Sequence, residues 1–255
     1  IASSFDRMIS PYKRLSGIPA RTILVNIFDP SVCLGYEEAC VDLGIMRGYV
    51  VKALPEYIGK LREILDLVRD PILRYHLLWT LLEPLWFNYC DRIGCISPAD
   101  TRVPTHTVFD HIYATAMTAN IYDGKGFQGY AVIIDFASIQ GYISESRKLR
   151  DLWASSWIGS LLGWITVEPL VAILGPDIIV SPSLRGNWFY LAWLHAKLSR
   201  VAGNIVDEIK GIMEKSYGYP GWPRHPIMPT RLVLVVPRLA SVLVDSVFTK
   251  EYDDV

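Results

Sequence analysis

The second half of the chain opens on an uninterrupted apolar run, Tyr130-Ala-Val-Ile-Ile-Asp135, and this run decides the fold. It is too short for a helix and rich in β-branched residues, so it predicts a buried strand over Tyr130–Ile134. Similar short runs predict further strands at Asp177–Val180, Trp188–Leu194 and Leu232–Val236. Four strands are thus predicted in this half, and the segments between them decide how they connect.

Two helices and one tight turn connect these strands. A long helix is predicted from Ser138 to Leu174, with a restart at Pro169, and a second helix over Val201–Lys215. Ser183-Leu-Arg-Gly-Asn187 is predicted to be a hairpin turn, because Gly and Asn accept positive φ. The resulting order of strands and helices is the split βαβ, ferredoxin-like arrangement, which the palm domains of polymerases and nucleotidyl cyclases share.

The first half is predicted to be helical. Apolar residues recur with helical spacing over Tyr49–Val68 and again over Ile72–Tyr89, and Pro71 separates the two runs. Thr105 or Thr107 then stands where an N-cap is expected, ahead of a third helix.

A glycine-rich stretch, Asp123-Gly-Lys-Gly-Phe-Gln-Gly129, separates the two halves. Its G-x-G-x-x-G spacing is that of a dinucleotide-binding loop, but such a loop follows a strand and opens a helix, whereas this one precedes a strand. We therefore interpret it as a flexible linker. The predicted fold class is α+β, with a helical region at 1–122, the linker at 123–129 and a ferredoxin-like palm domain at 130–255.

Composition and charge exclude several classes of protein. Lys and Arg number 25 against 26 Asp and Glu, which excludes a globally basic nucleic-acid binder and an acidic tail. Hydrophobic residues make up 51% of the chain, which excludes disorder. The apolar stretch Leu152–Val167 is shorter than the roughly 20 residues that a membrane span needs, so it predicts a buried helix. Neither a membrane partner nor a signal peptide is expected.

Four cysteines, Cys33, Cys40, Cys90 and Cys95, have C-x6-C and C-x4-C spacing. Neither matches the C-x2-C spacing that lets two thiolates bind one zinc ion. Small buried apolar side chains are the favoured interpretation, since that is the usual environment of a free cysteine. A four-thiolate zinc site is the alternative.

One acidic residue and one turn decide whether a palm domain is catalytic. In palm-type enzymes a carboxylate at the end of the first strand and acids on the facing turn hold two Mg²⁺ ions for nucleotidyl transfer. Asp135 ends the first strand here, but the turn at 183–187 contains Arg185 and no acid. We therefore predict that this domain does not itself join nucleotides, and that Arg185 binds nucleotide or RNA phosphate. For Asp135, capping of the helix that starts near Ser138 is the alternative.

A basic cluster, Arg147, Lys148 and Arg150, lies early in the long predicted helix. Three cations in four residues are suited to phosphate, although such clusters are also common on solvated helix faces. Trp153 and Trp157 follow one turn apart, and we predict that both pack in the core.

His106, Asp110 and His111 form an incomplete set of metal ligands. Their spacing puts them on part of one helix face, as metal ligands often are. They support an alternative function, a free-standing metal-dependent phosphohydrolase. A capping histidine and a surface aspartate are the structural interpretation of the same residues.

Several stretches together resemble one known family. These are PADTRVPTHTVFDH at 98–111, DFASIQ at 135–140 followed by SRKLRDLW at 146–153, and GPDIIVSPSLRGN at 175–187. IASSFDR at 1–7 resembles the segment after that family's HD helices. The family is the large subunit of type III-B CRISPR effector complexes, the Cmr complex.

The resemblance implies a longer, cytoplasmic parent with an HD nuclease domain, two palms, a zinc-bearing region and a helical C-terminal domain. Such a parent cleaves single-stranded DNA and makes cyclic oligoadenylate from ATP with a divalent ion, Mg²⁺ or Mn²⁺. Its partners are other Cmr subunits, guide CRISPR RNA and target RNA. This chain resembles only the end of the HD region and the first palm, without the His-Asp dyad or the GGDD motif. Catalysis is therefore not expected of this chain alone.

The expected role is a non-catalytic palm that forms half of an ATP pocket and docks guide RNA and neighbouring subunits. A scaffold that binds no nucleotide is the simplest alternative. His111 matches a histidine beside the family's HD site and is the one metal-ligand candidate. The residues predicted to bind nucleotide or RNA are Asp135, Gln140, Arg147, Lys148, Arg150, Arg185 and Asn187.

Overall fold

The computed structural model shows an α+β protein, as the sequence predicts. It describes residues 23–25, 33–35, 43–89, 107–137, 139–217 and 228–238. Within those residues the helices are α1 (Leu43–Asp66), α2 (Pro71–Tyr89), α3 (Val108–Asn120), α4 (Ile139–Ser144), α5 (Leu149–Leu174), α6 (Trp188–Leu198) and α7 (Gly203–Tyr217). The strands are β1 (Ile23–Val25), β2 (Cys33–Gly35), β3 (Gly129–Asp135), β4 (Ile179–Ser181) and β5 (Arg231–Pro237).

Three of the strands form an antiparallel sheet in the order β3–β5–β4. β5 pairs with β3 over its whole length, so that Tyr130 lies opposite Val236 and Asp135 lies opposite Arg231. β4 pairs with the other edge of β5 and is also antiparallel to it. β3 and β4 therefore run parallel to each other with β5 between them. The finer assignment to a ferredoxin-like palm fold stays a prediction. β1 and β2 form a separate antiparallel pair.

The strand predicted at Trp188–Leu194 is wrong, because this segment is the start of helix α6. The side chain of Asn187 accepts hydrogen bonds from the backbone N–H groups of Phe189 and Tyr190, which makes it a helix N-cap. The predicted hairpin turn therefore leads into a helix. A short apolar run does not distinguish a strand from a helix that is buried on several sides, and α6 is such a helix.

Prolines and helix breaks also differ from the predictions. The expected restart at Pro169 is wrong, since α5 continues through it and the residues beside it, Val167, Leu170 and Val171, are buried. Tertiary packing on both sides of the proline outweighs its intrinsic cost in a helix. The long predicted helix breaks earlier instead, between α4 and α5. In the first half, α1, α2 and α3 confirm the predicted helices, and Thr107 is the N-cap of α3.

The predicted flexible linker at 123–129 is an ordered tight turn leading into β3. The carboxylate of Asp123 accepts hydrogen bonds of 2.8 Å from the N–H groups of Lys125 and Gly126. Gly124 has a φ of 91°, which a residue with a side chain rarely adopts. A side-chain-to-backbone turn of this kind satisfies polar groups locally. The division of the chain into two domains at this point stays a prediction.

Buried side chains from both halves of the described chain form one apolar core. Helices α1 and α2 contribute Ile64 and Leu77, α5 contributes Leu170, and the sheet contributes Leu232 and Leu234, all almost fully buried. Because side chains in a core are packed closely, this contact holds the helices of the first half against the sheet of the second. That packing positions the residues of the candidate site.

Helix α5 is the most apolar long helix among the described residues. It is the one helix there that has the length and composition to cross a membrane. Core helices also have these properties, and Gly159, Gly163 and Val167 of α5 face the inside of the protein. The predicted buried helix at 152–167 therefore lies within α5, with one face in the core.

A buried histidine makes the stability of this core depend on pH. The Nδ1 atom of His76 lies 3.0 Å from the hydroxyl of Tyr190. Burial lowers the pKa of His76 from 6.5 to about 4, because the interior disfavours the charged ring. Between these two values the unfolded chain binds a proton that the folded chain does not. We therefore expect the free energy of unfolding to fall by up to about 3 kcal/mol as the pH decreases through that window.

Urea unfolding measured at a series of pH values tests this expectation. In His76→Leu the fall between neutral and acidic pH should be smaller by that amount, because the titrating group is gone. Leu77→Val, a change at a buried neighbouring residue of α2 that removes no titrating group, is the control, and its pH dependence should match that of the unsubstituted protein. The same pH dependence in His76→Leu as in the control would contradict the assignment.

Candidate nucleic-acid and nucleotide site

The predicted basic cluster lies at an exposed corner between α4 and α5, which we call the basic corner (Arg147, Lys148 and Arg150). Lys148 has extended backbone and is the residue before the first turn of α5. Arg150 lies 3.6 Å from Asp151, a solvent-exposed pair that holds the guanidinium weakly. The three cations therefore face solvent on a bend of the chain and are available to phosphate groups.

Two exposed aromatic side chains lie within a few residues of the basic corner in the sequence. Trp153 is 50% exposed and Tyr142 is 49% exposed. The prediction that Trp153 packs in the core is therefore wrong, whereas Trp157 packs against Phe189 with ring centroids 5.6 Å apart. The two tryptophans lie one turn apart on the same side of α5, but only Trp157 is observed in contact with a ring of α6, that of Phe189. Exposed aromatic rings next to cations are suited to stacking with bases of single-stranded nucleic acid.

Gln140 of α4 lines an open cavity of about 400 Å³ between α4 and α5. The opposite wall consists of α5 residues and of Met228 and Thr230, which precede β5. Ser160 supports this wall by donating a hydrogen bond of 2.7 Å to the carbonyl of Met228. The volume lies within the range of small-molecule sites in proteins. The role of Gln140 in nucleotide binding stays a prediction.

Asp135 at the end of β3 is bound to Arg231 of β5. Its carboxylate accepts hydrogen bonds of 2.6 Å and 3.1 Å from the guanidinium, and both side chains are largely exposed. A two-metal site needs several carboxylates directed at one place. The described residues around Asp135 offer an arginine instead, so by themselves they do not fit the divalent ion of a palm enzyme. The nucleotide-binding role of Asp135 stays a prediction.

Arg185 is held by two carboxylates of the helical half. Its Nη2 atom lies 2.6 Å from the Glu83 carboxylate, its Nη1 atom donates to Asp110, and its guanidinium lies 4.6 Å from the ring centroid of Tyr113. Sequence reasoning did not select Glu83 or Tyr113. Glu83 could have been found from the sequence, because it is the one glutamate in the apolar run of α2 and a buried charge needs a partner. Phosphate binding by Arg185 stays a prediction.

Asn187 is buried, and its polar atoms are in use. Its Oδ1 atom caps α6, its Nδ2 atom lies 3.6 Å from the Met228 sulfur, and its N–H donates to the carbonyl of Leu184. These contacts fix the turn between β4 and α6. Contact of Asn187 with a nucleotide stays a prediction.

The metal-ligand candidates have other contacts in the structure. Asp110 accepts hydrogen bonds from the N–H and hydroxyl of Thr107 as well as from Arg185. Burial by itself raises the pKa of Asp110, but the hydrogen bonds from Arg185 and Thr107 lower it by a larger amount. The pKa of Asp110 therefore lies below its ordinary value. In the described part of the chain no three His, Cys, Asp or Glu side chains are grouped closely enough to hold a metal ion. The metal role of His111 stays a prediction.

Some of the predicted ligands cannot be placed. His106 lies outside the described residues, as do Cys40, Cys90 and Cys95. Cys33 begins β2. The zinc alternative and the phosphohydrolase alternative therefore stay predictions.

Comparison with known proteins points to one family. A family model described as "CRISPR-associated protein Cmr2, N-terminal" matches residues 131–253. The CRISPR system CMR subunit Cmr2 of Saccharolobus solfataricus is 34% identical, and the alignment covers 94% of this chain and 24% of that protein. The CRISPR system Cmr subunit Cmr2 of Pyrococcus furiosus is 35% identical over 44% of this chain and 12% of that protein.

Solved structures give the same result. A chain of the cryo-EM structure of type III-B Cmr-beta in the apo state superimposes with a TM-score of 0.70 and 31% identity, covering 92% of this chain and 24% of that chain. A chain of type III-B Cmr-beta bound to cognate target RNA superimposes with a TM-score of 0.65 and 35% identity. Sequence and fold together define a CRISPR-associated protein. The chain belongs to the Cmr2 family and spans about a quarter of the length of the first relative.

Proposed function

We propose that this chain is part of the large subunit of a type III-B, RNA-guided antiviral ribonucleoprotein. Its second half is a ferredoxin-like, non-catalytic palm that contributes half of an ATP pocket and a docking surface for guide RNA. A structure of a relative is of type III-B Cmr-beta bound to cognate target RNA, which supports RNA as a partner. Catalysis and any divalent ion, Mg²⁺ or Mn²⁺, belong to other parts of the parent.

The observation that carries the proposal is the basic corner beside exposed aromatic rings. Arg147 and Lys148 are exposed on the bend before α5, and Tyr142 and Trp153, on either side of them in the sequence, are about half exposed. Cations neutralise phosphates without sequence preference, and aromatic rings stack with bases of any kind. A local surface of this kind suits RNA in a chain whose net charge is only -1.

The sheet supports the second half of the proposal, the shared ATP pocket. Leu232, Leu234 and Val236 of β5 are buried beneath the helices, but Ile133 on the other face is 67% exposed and Val180 of β4 is also exposed. One face of the sheet therefore lacks a covering layer within the described residues. A second palm in the parent would cover it and supply carboxylates in addition to Asp135, which lies on the same face as Ile133.

Helix α5 offers a surface for neighbouring subunits. Its solvent side carries exposed apolar residues, namely Ile158, Leu162 and Ile165 at one-turn spacing and Ile173 two turns further on. Contiguous exposed apolar side chains on a protein surface commonly mark an interaction site. The stripe begins at Ile158, about two helical turns after Arg150, so a subunit bound there would leave the corner accessible to RNA.

Charge reversal at the basic corner tests RNA docking. We expect Arg147→Glu, Lys148→Glu and Arg150→Glu together, in the full-length subunit within its complex, to weaken guide-RNA retention by about 100-fold at moderate salt. The salt dependence of binding should also become shallower, by about two in log–log slope for three lost phosphate contacts on a single strand. Filter binding over a salt series measures both quantities.

A matched control reverses three exposed cations elsewhere, Arg200, Lys210 and Lys215. This variant has the same change in net charge and should change retention by less than about threefold, since its cations lie after α6 and on α7 instead of on α4 or α5. Equal losses in the two variants would show that only net charge matters and would contradict the proposal.

Two further measurements separate the proposal from the alternatives. ATP calorimetry distinguishes the half-pocket from a scaffold that binds no nucleotide. One tightly bound transition metal per isolated chain, found by elemental analysis, would favour the phosphohydrolase instead.

A further inference from the structure

The side chain of Arg185 connects three elements that are far apart in sequence. It leaves the turn between β4 and α6, and its guanidinium bonds to Glu83 in the middle of α2. The same guanidinium donates to Asp110 in the first turn of α3 and lies over the ring of Tyr113 in the same helix. The sheet half and the helical half therefore meet at one planar cation.

The charges at this contact require the arginine. The Glu83 side chain is only 8% exposed, and the second carboxylate, on Asp110, is partly buried beside it. Without Arg185 two carboxylates would face each other in a poorly hydrated place, which is unfavourable. The planar fork of arginine satisfies both acids at once, and a lysine does so less well because it lacks that geometry.

Both ends of the contact are rigid. On the sheet side, Leu184 is buried and Asn187 caps α6, so the turn has little freedom. On the helical side, Asp110 also belongs to the capping box of α3 with Thr107. One carboxylate oxygen serves the cap and the other serves Arg185. Movement of the turn therefore changes the hydrogen bonding of the first turn of α3.

We propose that Arg185 is a latch that couples the β4–α6 turn to the first turn of α3, so that a displacement at either end reaches the other. The latch joins two places for which ligands were predicted: the turn with Arg185, predicted to bind phosphate, and the start of α3 with His111, predicted to bind a metal ion. Arg185 acts here as a positioning residue, and the coupling does not depend on binding of RNA or ATP. A result that disproves the coupling therefore leaves the proposed function standing, and a result that disproves the proposed function leaves the coupling standing.

Hydrogen exchange on the full chain tests the latch without any ligand. In Arg185→Met the amides of Asp110 and His111 should exchange about tenfold faster, because the capping box loses its support. Reciprocally, Asp110→Asn should accelerate the amides of Phe189 and Tyr190, which Asn187 caps. Coupling between two sites is symmetric in free energy, so both effects are required.

Arg231→Met is the matched control, since it removes an arginine from the exposed pair with Asp135. It should leave the amides of Asp110 and His111 within about twofold of the unsubstituted protein. Equal exchange at these amides in Arg185→Met and the control would overturn the proposal. So would acceleration of all helices by one common factor, which would report only a global loss of stability.

A second variant keeps the test decisive if Arg185→Met does not fold. Arg185→Lys retains the positive charge and loses the fork, so we expect acceleration by about threefold at the same amides. Exchange identical to that of the unsubstituted protein in Arg185→Lys would then overturn the proposal. In the double variant Glu83→Gln with Arg185→Met, folding should recover in part, because the unpaired buried acid is gone.

Discussion

Replacement of Tyr190 by alanine is expected to lower the free energy of unfolding by about 4 kcal/mol. Tyr190 is fully buried and is among the largest side chains in the core. Its ring contacts Trp79 edge-on at 5.7 Å and stacks against Trp193 at 5.9 Å between centroids. Alanine would leave a cavity among rigid rings that cannot collapse into it. Urea unfolding at neutral pH measures the change.

Tyr190→Phe separates the ring from the hydroxyl. The hydroxyl lies 3.0 Å from Nδ1 of His76 and accepts a hydrogen bond of 3.2 Å from Thr80. Phenylalanine keeps the ring contacts and leaves these polar groups unpaired, so we expect a loss of about 1 to 2 kcal/mol. A loss in Tyr190→Phe as large as that in Tyr190→Ala would show that packing is not the main contribution. A loss below about 1 kcal/mol in Tyr190→Ala would contradict the buried position.

Gly175→Ala is expected to be the most damaging conservative change, with a loss of about 3 kcal/mol. Gly175 ends α5 with φ 101° and ψ 163°, a conformation that is essentially restricted to glycine. An added Cβ would lie 2.6 Å from Oδ1 of Asp177 and 2.8 Å from the ring of Tyr75. Asp177 is itself buried and bonded to Asn120 at 2.6 Å, so it cannot move away.

Gly211→Ala is the matched control for that experiment. Gly211 lies inside α7, and an added Cβ there meets no atom within 4 Å. Alanine should therefore stabilise the helix by roughly 0.5 to 1 kcal/mol, because it restricts the unfolded chain and favours helix. The two variants thus differ in sign. Equal midpoints of urea unfolding for Gly175→Ala and Gly211→Ala would contradict the strained position of Gly175.

Local sequence signals explain which predictions succeeded. Helices α1 and α2 followed from apolar spacing. Thr105 and Thr107 were the two predicted N-cap candidates, and the structure selects Thr107, whose hydroxyl bonds its own helix. Strands β3 and β5 followed from short β-branched runs. Each of these signals depends on residues only a few positions apart, so the local sequence alone determines the preference for helix, strand or cap.

The wrong predictions share one cause. The segment from Trp188 became α6 instead of a strand, and α5 continued through Pro169. In both cases the apolar residues pack on several sides, and the energy of that packing exceeds the local preference. Trp153 is exposed although Trp157, one turn later on the same side of α5, packs against Phe189 of α6, so helical position alone did not decide which tryptophan is buried.

The sequence by itself determined the α+β class, the resemblance to a CRISPR large subunit, and the lack of acids in the turn that holds Arg185. Those properties depend on residue types at short spacing. Only the tertiary structure decided that Arg185 pairs with Glu83, which is 102 residues away, and that the basic corner is exposed. Long-range pairing and exposure depend on how helices pack around a shared core, and no local pattern encodes that packing.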